Sequence, residues 1–369
     1  MLRHLESFDY AADEGYFDRY YTRTGTLGGV AAVPPGREQG IGASSDSNTA
    51  LVLTTPALSA VSNTWIQGIG VYWGEIQTGL TTFQGLSFMS GASEQVAIDF
   101  IPANTDAGSF VLVQARRGVA ILGTSVLGAM TPTFWYYVEV KSVVRTGANG
   151  SIEVKVGFRN SPTVTVLTLT GINTANTGVD GADRMRIRWS TSGTALANRL
   201  TYDDWYVCDS TGAANNDFLG PTTVLGFIPN GTGNTMTWSL AGGAASVQDA
   251  LDDPANTQSV GNDDTRITAD TVGQIALASY PNHTYLGNTT IRGIMVRSTA
   301  GMDTTGTRTI KHRLRNTTLP AETDGVSSFV LAGTTWVEYT EVFETDPNTA
   351  AAWTKAGLDG LEIGTRVSA

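Results

Sequence analysis

The chain has 369 residues, a formal net charge of -11 and only 15% charged residues. Its length favours two domains and is ample for a core. The acidic balance, with no basic stripe to neutralise phosphates, argues against nucleic-acid binding and favours a self-repelling surface. The single cysteine, Cys208, excludes an intramolecular disulfide and so a disulfide-stapled scaffold.

Frequent glycine, abundant threonine and the lack of long helical periodicity point to β structure. Residues 1–48 read as a lead-in and a loop rich in Gly, Pro and Ser. The lead-in has no apolar h-region, so no signal peptide is expected. Its aromatics, Phe8, Tyr10, Tyr16, Phe17, Tyr20 and Tyr21, either cover the first domain's own core or dock on a neighbouring subunit. A subunit contact through Phe8, Tyr10, Phe17, Tyr20 and Tyr21 is the expectation.

Strands are expected from residue 50 onward: 50–55, 64–73, 86–89, 95–101, and a hairpin of 109–115 with 119–122. Residues 134–144 and 151–158 form a second hairpin across the turn at 147–150. In it Glu139, Lys141, Glu153 and Lys155 take the solvent face, and Ile152, Val154, Val156 and Phe158 the inner one. Residues 163–169 are a further strand, and 184–189 alternate Arg184, Arg186 and Arg188 against Met185, Ile187 and Trp189. The three arginines are expected to be solvated, paired with carboxylates on a neighbouring strand, or turned to an acidic partner. The aromatic run 200–208 is expected to close a first domain spanning 49–245, with the next domain at 246–369. That second part carries five strand-like runs, then its best helix at 349–361, then a last short strand at 362–367.

Chemical motifs are scarce. His4, His283 and His312 lie far apart and form no metal-ligand spacing. A Ser-His-Asp triad is open by count, although no Gly-X-Ser-X-Gly elbow occurs. No phosphate loop, dinucleotide pattern or paired-carboxylate run is present. Glu139 and Glu153 each have a lysine two places on and read as a charge-paired face. Asp203 and Asp204 point to opposite faces of a strand and cannot share a calcium ion without a bulge. With Asp209 they read as backbone-bonding residues or partners of Arg199. Asp252-Asp253 and Asp263-Asp264 sit on loops. No catalytic, cofactor-binding or metal-ligating residue is expected, and no cofactor. Cys208 reads as a small buried hydrophobe.

Residues 202–209 (YDDWYVCD) and 211–220 (TGAANNDFLG) resemble the closing strand and loop of laminin-G/concanavalin-like domains in tailed-phage structural proteins. Residues 263–265, 271–274, 304–309, 343–349, 352–354 and 361–364 are similar to the second half of such proteins. The resemblance implies an all-β chain: an antiparallel, jelly-roll β-sandwich followed by a smaller β-sandwich. It implies a non-enzymatic virion component made in the host cytoplasm, in tail fibre, baseplate or capsid decoration. Its partners would be other virion proteins and copies of itself, with no nucleic acid and no membrane. The alternative is a carbohydrate-binding module that contacts host-surface glycans through Trp65, Tyr72, Trp73 and the Trp135, Tyr136, Tyr137 run.

Overall fold

The alternating runs fold into antiparallel strands in a computed structural model. It describes residues 1–8, 21–24, 37, 42–44, 51–59, 61–74, 83–105, 108–126, 128–189, 200–251, 265–282, 289–303, 306–317 and 319–369. The chain divides into two compact units, Met1–Gly226 and Phe227–Ala369. The boundary expected between residues 245 and 246 lies inside the second unit.

The first unit contains β1 (Leu2–Glu6), β2 (Thr22–Thr24), β3 (Ala43–Ser44), β4 (Leu51–Thr54), β5 (Thr64–Trp73), β6 (Phe83–Ser90) and β7 (Ser93–Thr105). It continues with β8 (Gly108–Arg117), β9 (Ala120–Thr124), β10 (Trp135–Val143), β11 (Gly150–Phe158), β12 (Val164–Ile172), β13 (Arg184–Trp189) and β14 (Leu200–Asp209). One seven-stranded sheet, here the back sheet, has the order β1-β14-β5-β10-β11-β12 with β3 also on β14. The other, the front sheet, has the order β2-β4-β13-β6-β7-β8-β9. The result is an antiparallel two-sheet β-sandwich.

Period-2 geometry explains the core. From the back sheet, Trp65, Ile69, Val71, Val138, Val140, Ile152 and Val154 point inward. They meet Leu53, Phe88, Ile98, Val113 and Ile187 of the front sheet. The β10–β11 hairpin has the expected register, with Glu139 opposite Lys155 and Lys141 opposite Glu153. Two of its residues depart from expectation. Glu139 is fully buried, not solvated, and Phe158 is 43% exposed, not internal. Alternation separates the two faces of a strand, but it does not say which of them later chain will cover.

The lead-in is also corrected. Leu2–Glu6 is a strand paired with β14, which therefore sits inside the back sheet between β1 and β5. All ten residues of β14 are buried. Phe8 and Tyr21 belong to the unit's own core and so are spent internally. Tyr10, Tyr16, Phe17 and Tyr20 lie outside the described residues. Behind β1, His4 Nε2 is 2.8 Å from the Tyr21 hydroxyl, which donates to Glu6 Oε2 at 2.8 Å. Trp205 meets the His4 ring edge-on at 4.9 Å between centroids and stacks on Tyr21 at 6.1 Å.

In the second unit the strands Gly231–Met236, Ile275–Ser279, Leu361–Val367, Thr307–Asn316 and Leu319–Asp324 form a sheet in that order. Phe329–Ala332 pairs with Thr307–Asn316 as well. A separate pair, Ile294–Ala300 with Val337–Phe343, packs onto this sheet through Val296, Phe343, Leu314, Trp353 and Leu361. This is a second, smaller sandwich. Of the helix expected at 349–361, only Lys355–Asp359 is helical; Thr354 caps it by accepting from the Gly357 N–H. The glycines on either side of Leu358 disfavour a longer run.

Two outcomes follow from this packing. Trp205→Ala should lower the unfolding free energy by about 3–5 kcal/mol in chemical denaturation, as a cavity-forming truncation of a buried aromatic. Asp209 should contribute to acid sensitivity. Burial raises its carboxyl pKa, but hydrogen bonds from Thr211 and the Arg3 guanidinium outweigh that and hold it below the ordinary 3.8. A depressed folded value means the contribution is intact above pH 3.8 and fades as pH falls through the folded value. Asp209→Asn should therefore flatten the decline of stability below that pH, measured by denaturation across an acid series.

Candidate functional site

The outer face of the front sheet carries an unusual density of charge for a chain so poor in it. The alternation in β13 sends Met185, Ile187 and Trp189 to the core and leaves Arg184, Arg186 and Arg188 on the other face. Register then builds a lateral row: Thr54 of β4 opposite Arg186, Arg186 opposite Ser87 of β6, Ser87 opposite Ala97 of β7, and Ala97 opposite Arg116 of β8. The small buried Ser87 and Ala97 form the floor between two long guanidinium side chains.

Two carboxylates knit the row together. Glu94 binds Arg188 at 2.9 Å and Arg116 at 3.0 Å, and accepts from the Ser87 hydroxyl at 3.0 Å. Asp99 pairs with Arg116 through Nε and with Arg188 at 3.5 Å. Arg184 lies 3.6 Å from Asp183. Arg188 is paired with carboxylates as expected, but they come from β7, two strands away across β6, and not from a neighbouring strand. Arg186 differs: its Nε donates to Thr54 Oγ1 at 2.9 Å, and no carboxylate lies within ion-pair distance of it among the described residues. Three guanidinium groups thus face two carboxylates, leaving one positive charge unmatched. Burial lowers the Arg186 pKa, Glu94 opposes this and Arg188 adds to it. In Arg116 burial also acts downward, but Asp99 and Glu94 outweigh it and raise the value. A row of donors over a small-residue floor suits an anionic, oxygen-rich ligand.

Part of the outer face of the back sheet, around Tyr206 and Glu139, is covered by later chain. Tyr206 donates to Glu139 Oε1 at 2.5 Å, and the Gly220 N–H and Thr163 hydroxyl donate to the same carboxylate at 2.8 and 2.7 Å. The Leu219 N–H donates to the Tyr206 hydroxyl and the Val224 N–H to Asp204 Oδ1. Residues 219–224 therefore lie over this face, which is why Glu139 is buried. Asp203 and Asp204 do sit at a bulge in β14, where Asp204 has φ 52°. The bulge serves an arginine. The Arg37 backbone N–H donates to Asp203, and its side chain pairs with Asp204 at 2.8 Å and covers the Tyr137 ring. Arg37 thus takes the place expected of Arg199, which lies outside the described residues, as do Asp252, Asp253, Asp263 and Asp264. Asp209 pairs with Arg3 at 2.8 Å.

The aromatics considered for sugar stacking divide. Trp65, Trp73 and Tyr137 are wholly or nearly wholly buried, and Tyr136 is 8% exposed. Tyr72 and Trp135 are half-buried, with ring centroids 5.5 Å apart. The sequence pattern missed Glu94, Asp99 and Arg116 because each comes from a different run, and only strand order brings them to β13.

No protein-family model matches the chain, and no curated protein does. Solved structures similar to it include a lectin from Griffonia simplicifolia, at 8% identity and a TM-score of 0.38, covering 56% of this chain and 98% of that one. An alginate lyase from Aplysia kurodai has 12% identity and a TM-score of 0.31, covering 45% and 86%. A glucuronan lyase from Trichoderma reesei has 13% identity and a TM-score of 0.34, covering 56% and 95%. At these scores the likenesses assign no activity. Lyases stand beside lectins, so the expectation that the chain is not an enzyme is withdrawn. A search for paired acids addresses hydrolysis of glycosidic bonds alone. None of the three structures is a virion protein.

Cys208 is buried, and its thiol is pushed up to about 12, chiefly by burial. With no thiolate at neutral pH it should resist a disulfide-exchange reagent in the native protein and react stoichiometrically once denatured. Rapid native labelling would show that β14 opens.

Proposed function

We propose that the first unit is a glycan-binding module, and that the outer face of the front sheet around Arg186 takes sugars bearing a carboxylate. The single observation that carries this is the Arg186 guanidinium. It is half-buried, held in place by Thr54, and left without a carboxylate in a row whose other arginines are matched. A ligand carboxylate would complete the pairing with charge-assisted hydrogen bonds, while sugar hydroxyls meet the Gln114 and Thr124 side chains, which already bond each other at 3.1 Å. Neutral sugars would leave the positive charge unmatched.

Calorimetric titration with uronate oligosaccharides and neutral oligosaccharides of the same length tests this. Uronates should bind and neutral sugars should bind more weakly. Arg186→Ala should weaken uronate binding by roughly 10- to 100-fold, the scale of one hydrogen-bonded charge contact. It should leave thermal stability nearly unchanged. Absence of binding to either class sinks the proposal. New chain ends appearing in the titrated oligosaccharide would mean that the face cleaves what it holds. The resemblance to tailed-phage proteins would set such a face against a host-surface glycan. Immunogold labelling of purified particles tests that setting, and particles without label remove it.

A further inference from the structure

We propose that Ser298, His312 and Glu341 of the second unit form an acyl-transfer site, with Ser298 as the nucleophile toward carboxylic esters. The three residues come from three strands. In the pair Ile294–Ala300 with Val337–Phe343, Val296 lies opposite Glu341 and Ser298 opposite Tyr339. Opposed residues, and residues two apart, share a face. Ser298 and Glu341 therefore project to the same side as the buried Val296. In the facing strand Thr307–Asn316, the inward set is Ile310, His312 and Leu314. His312 meets the other two where these faces come together.

Its two ring nitrogens serve different partners. Nε2 is 2.9 Å from the Ser298 hydroxyl, and Nδ1 is 3.4 Å from Glu341 Oε2. With the Nδ1 proton facing the carboxylate, Nε2 is free to accept the serine proton. Burial follows the order that such a relay needs: His312 is fully buried, Glu341 6% exposed, and Ser298 partly exposed. The carboxylate is fixed from behind. The Ser327 N–H donates to Oε1 at 2.8 Å, and a Cβ on Gly325 would fall 2.0 Å from Oε2. Burial raises the Glu341 pKa, but the His312 ring and the Ser327 N–H outweigh this and keep it below the ordinary carboxylate value. The Phe329 ring lies 4.8 Å from His312 and packs against one side of the imidazole.

A purely structural polar plug would satisfy its members. Here His312 Nδ1 and Glu341 Oε2 are buried, and among the described residues their only contact of this kind is the long one, 3.4 Å, that they make with each other. Buried polar atoms in that state call for a reason, and catalytic contacts of this kind are commonly long until substrate arrives. The strand bearing Ser298 pairs only with Val337–Phe343 among the described residues. Alternate N–H groups along it therefore point away from that ladder.

The reaction balances with water alone. Ser298 Oγ forms a bond to the acyl carbon as its proton passes to His312 Nε2. The tetrahedral oxyanion collapses, the bond to the alcohol oxygen breaks, and that oxygen leaves with the proton from Nε2. Water repeats the sequence on the acyl-serine, giving the carboxylic acid and free Ser298.

A fluorophosphonate probe on the full chain, read by intact mass and peptide mapping, tests the site. The expected result is one adduct, on Ser298, lost in Ser298→Ala. It should form at least about 100-fold more slowly in His312→Ala, the usual scale of lost general-base catalysis. Because His312 is buried, Glu341→Gln is the second variant. It keeps the shape of the side chain and should also slow labelling. Folded protein that forms no adduct on Ser298 overturns the proposal, as does labelling at an unchanged rate in Glu341→Gln. Glycan binding by the first unit is unaffected by either result.

Discussion

A strand buried on both faces must find partners for every polar group it carries. β14 is such a strand, and half of the first unit is arranged to satisfy it. Its Asp203 and Asp204 bring in Arg37, its Tyr206 takes Glu139 from β10, and its Asp209 takes Arg3 from β1. The N-terminal strand is held in the back sheet for the same reason. So is the stretch 219–224, whose N–H groups are given to Tyr206, Glu139 and Asp204. Removing any one partner strands a charge or hydroxyl away from water, so these segments are bound to the sheet as one unit.

The two outer faces have resolved the same problem differently. On the back sheet, acids and cation are enclosed by chain, and the hydrogen bonds close within the protein. On the front sheet, the strands supply the charges themselves, and sharing two carboxylates among three arginines leaves the account open at Arg186. An unmatched guanidinium places a local positive charge on a chain whose net charge is -11. The position of that charge is set by the row geometry that strand register imposes.

Much of the architecture was readable from alternation. The β10–β11 register, the arginine face of β13 and the all-β class follow from period-2 patterning and turn chemistry. What patterning misses is contact at long sequence separation. Leu2–Glu6 looks like charged lead-in because its partner is about 200 residues away. Glu139 looks solvated because Gly220 is distant in sequence. Glu94, Asp99 and Arg116 each look ordinary, since only sheet order gathers them. The Ser298, His312 and Glu341 grouping was open to the sequence only as a count of histidines, since no local spacing links three separate strands.

Gly68 and Gly70 show how much the back sheet depends on absent atoms. A Cβ on Gly68 would fall 2.0 Å from the Tyr206 ring, and one on Gly70 would fall 3.2 Å from Arg37 Cδ. Together they cut a trough across β5 in which ring and guanidinium lie flat. Under mutation, then, tolerance along β5 runs opposite to size. Its large core residues have conservative replacements of nearly their own volume, whereas a side chain at Gly68 must displace the Tyr206 ring and one at Gly70 must shift Arg37 or the Asp203 carbonyl.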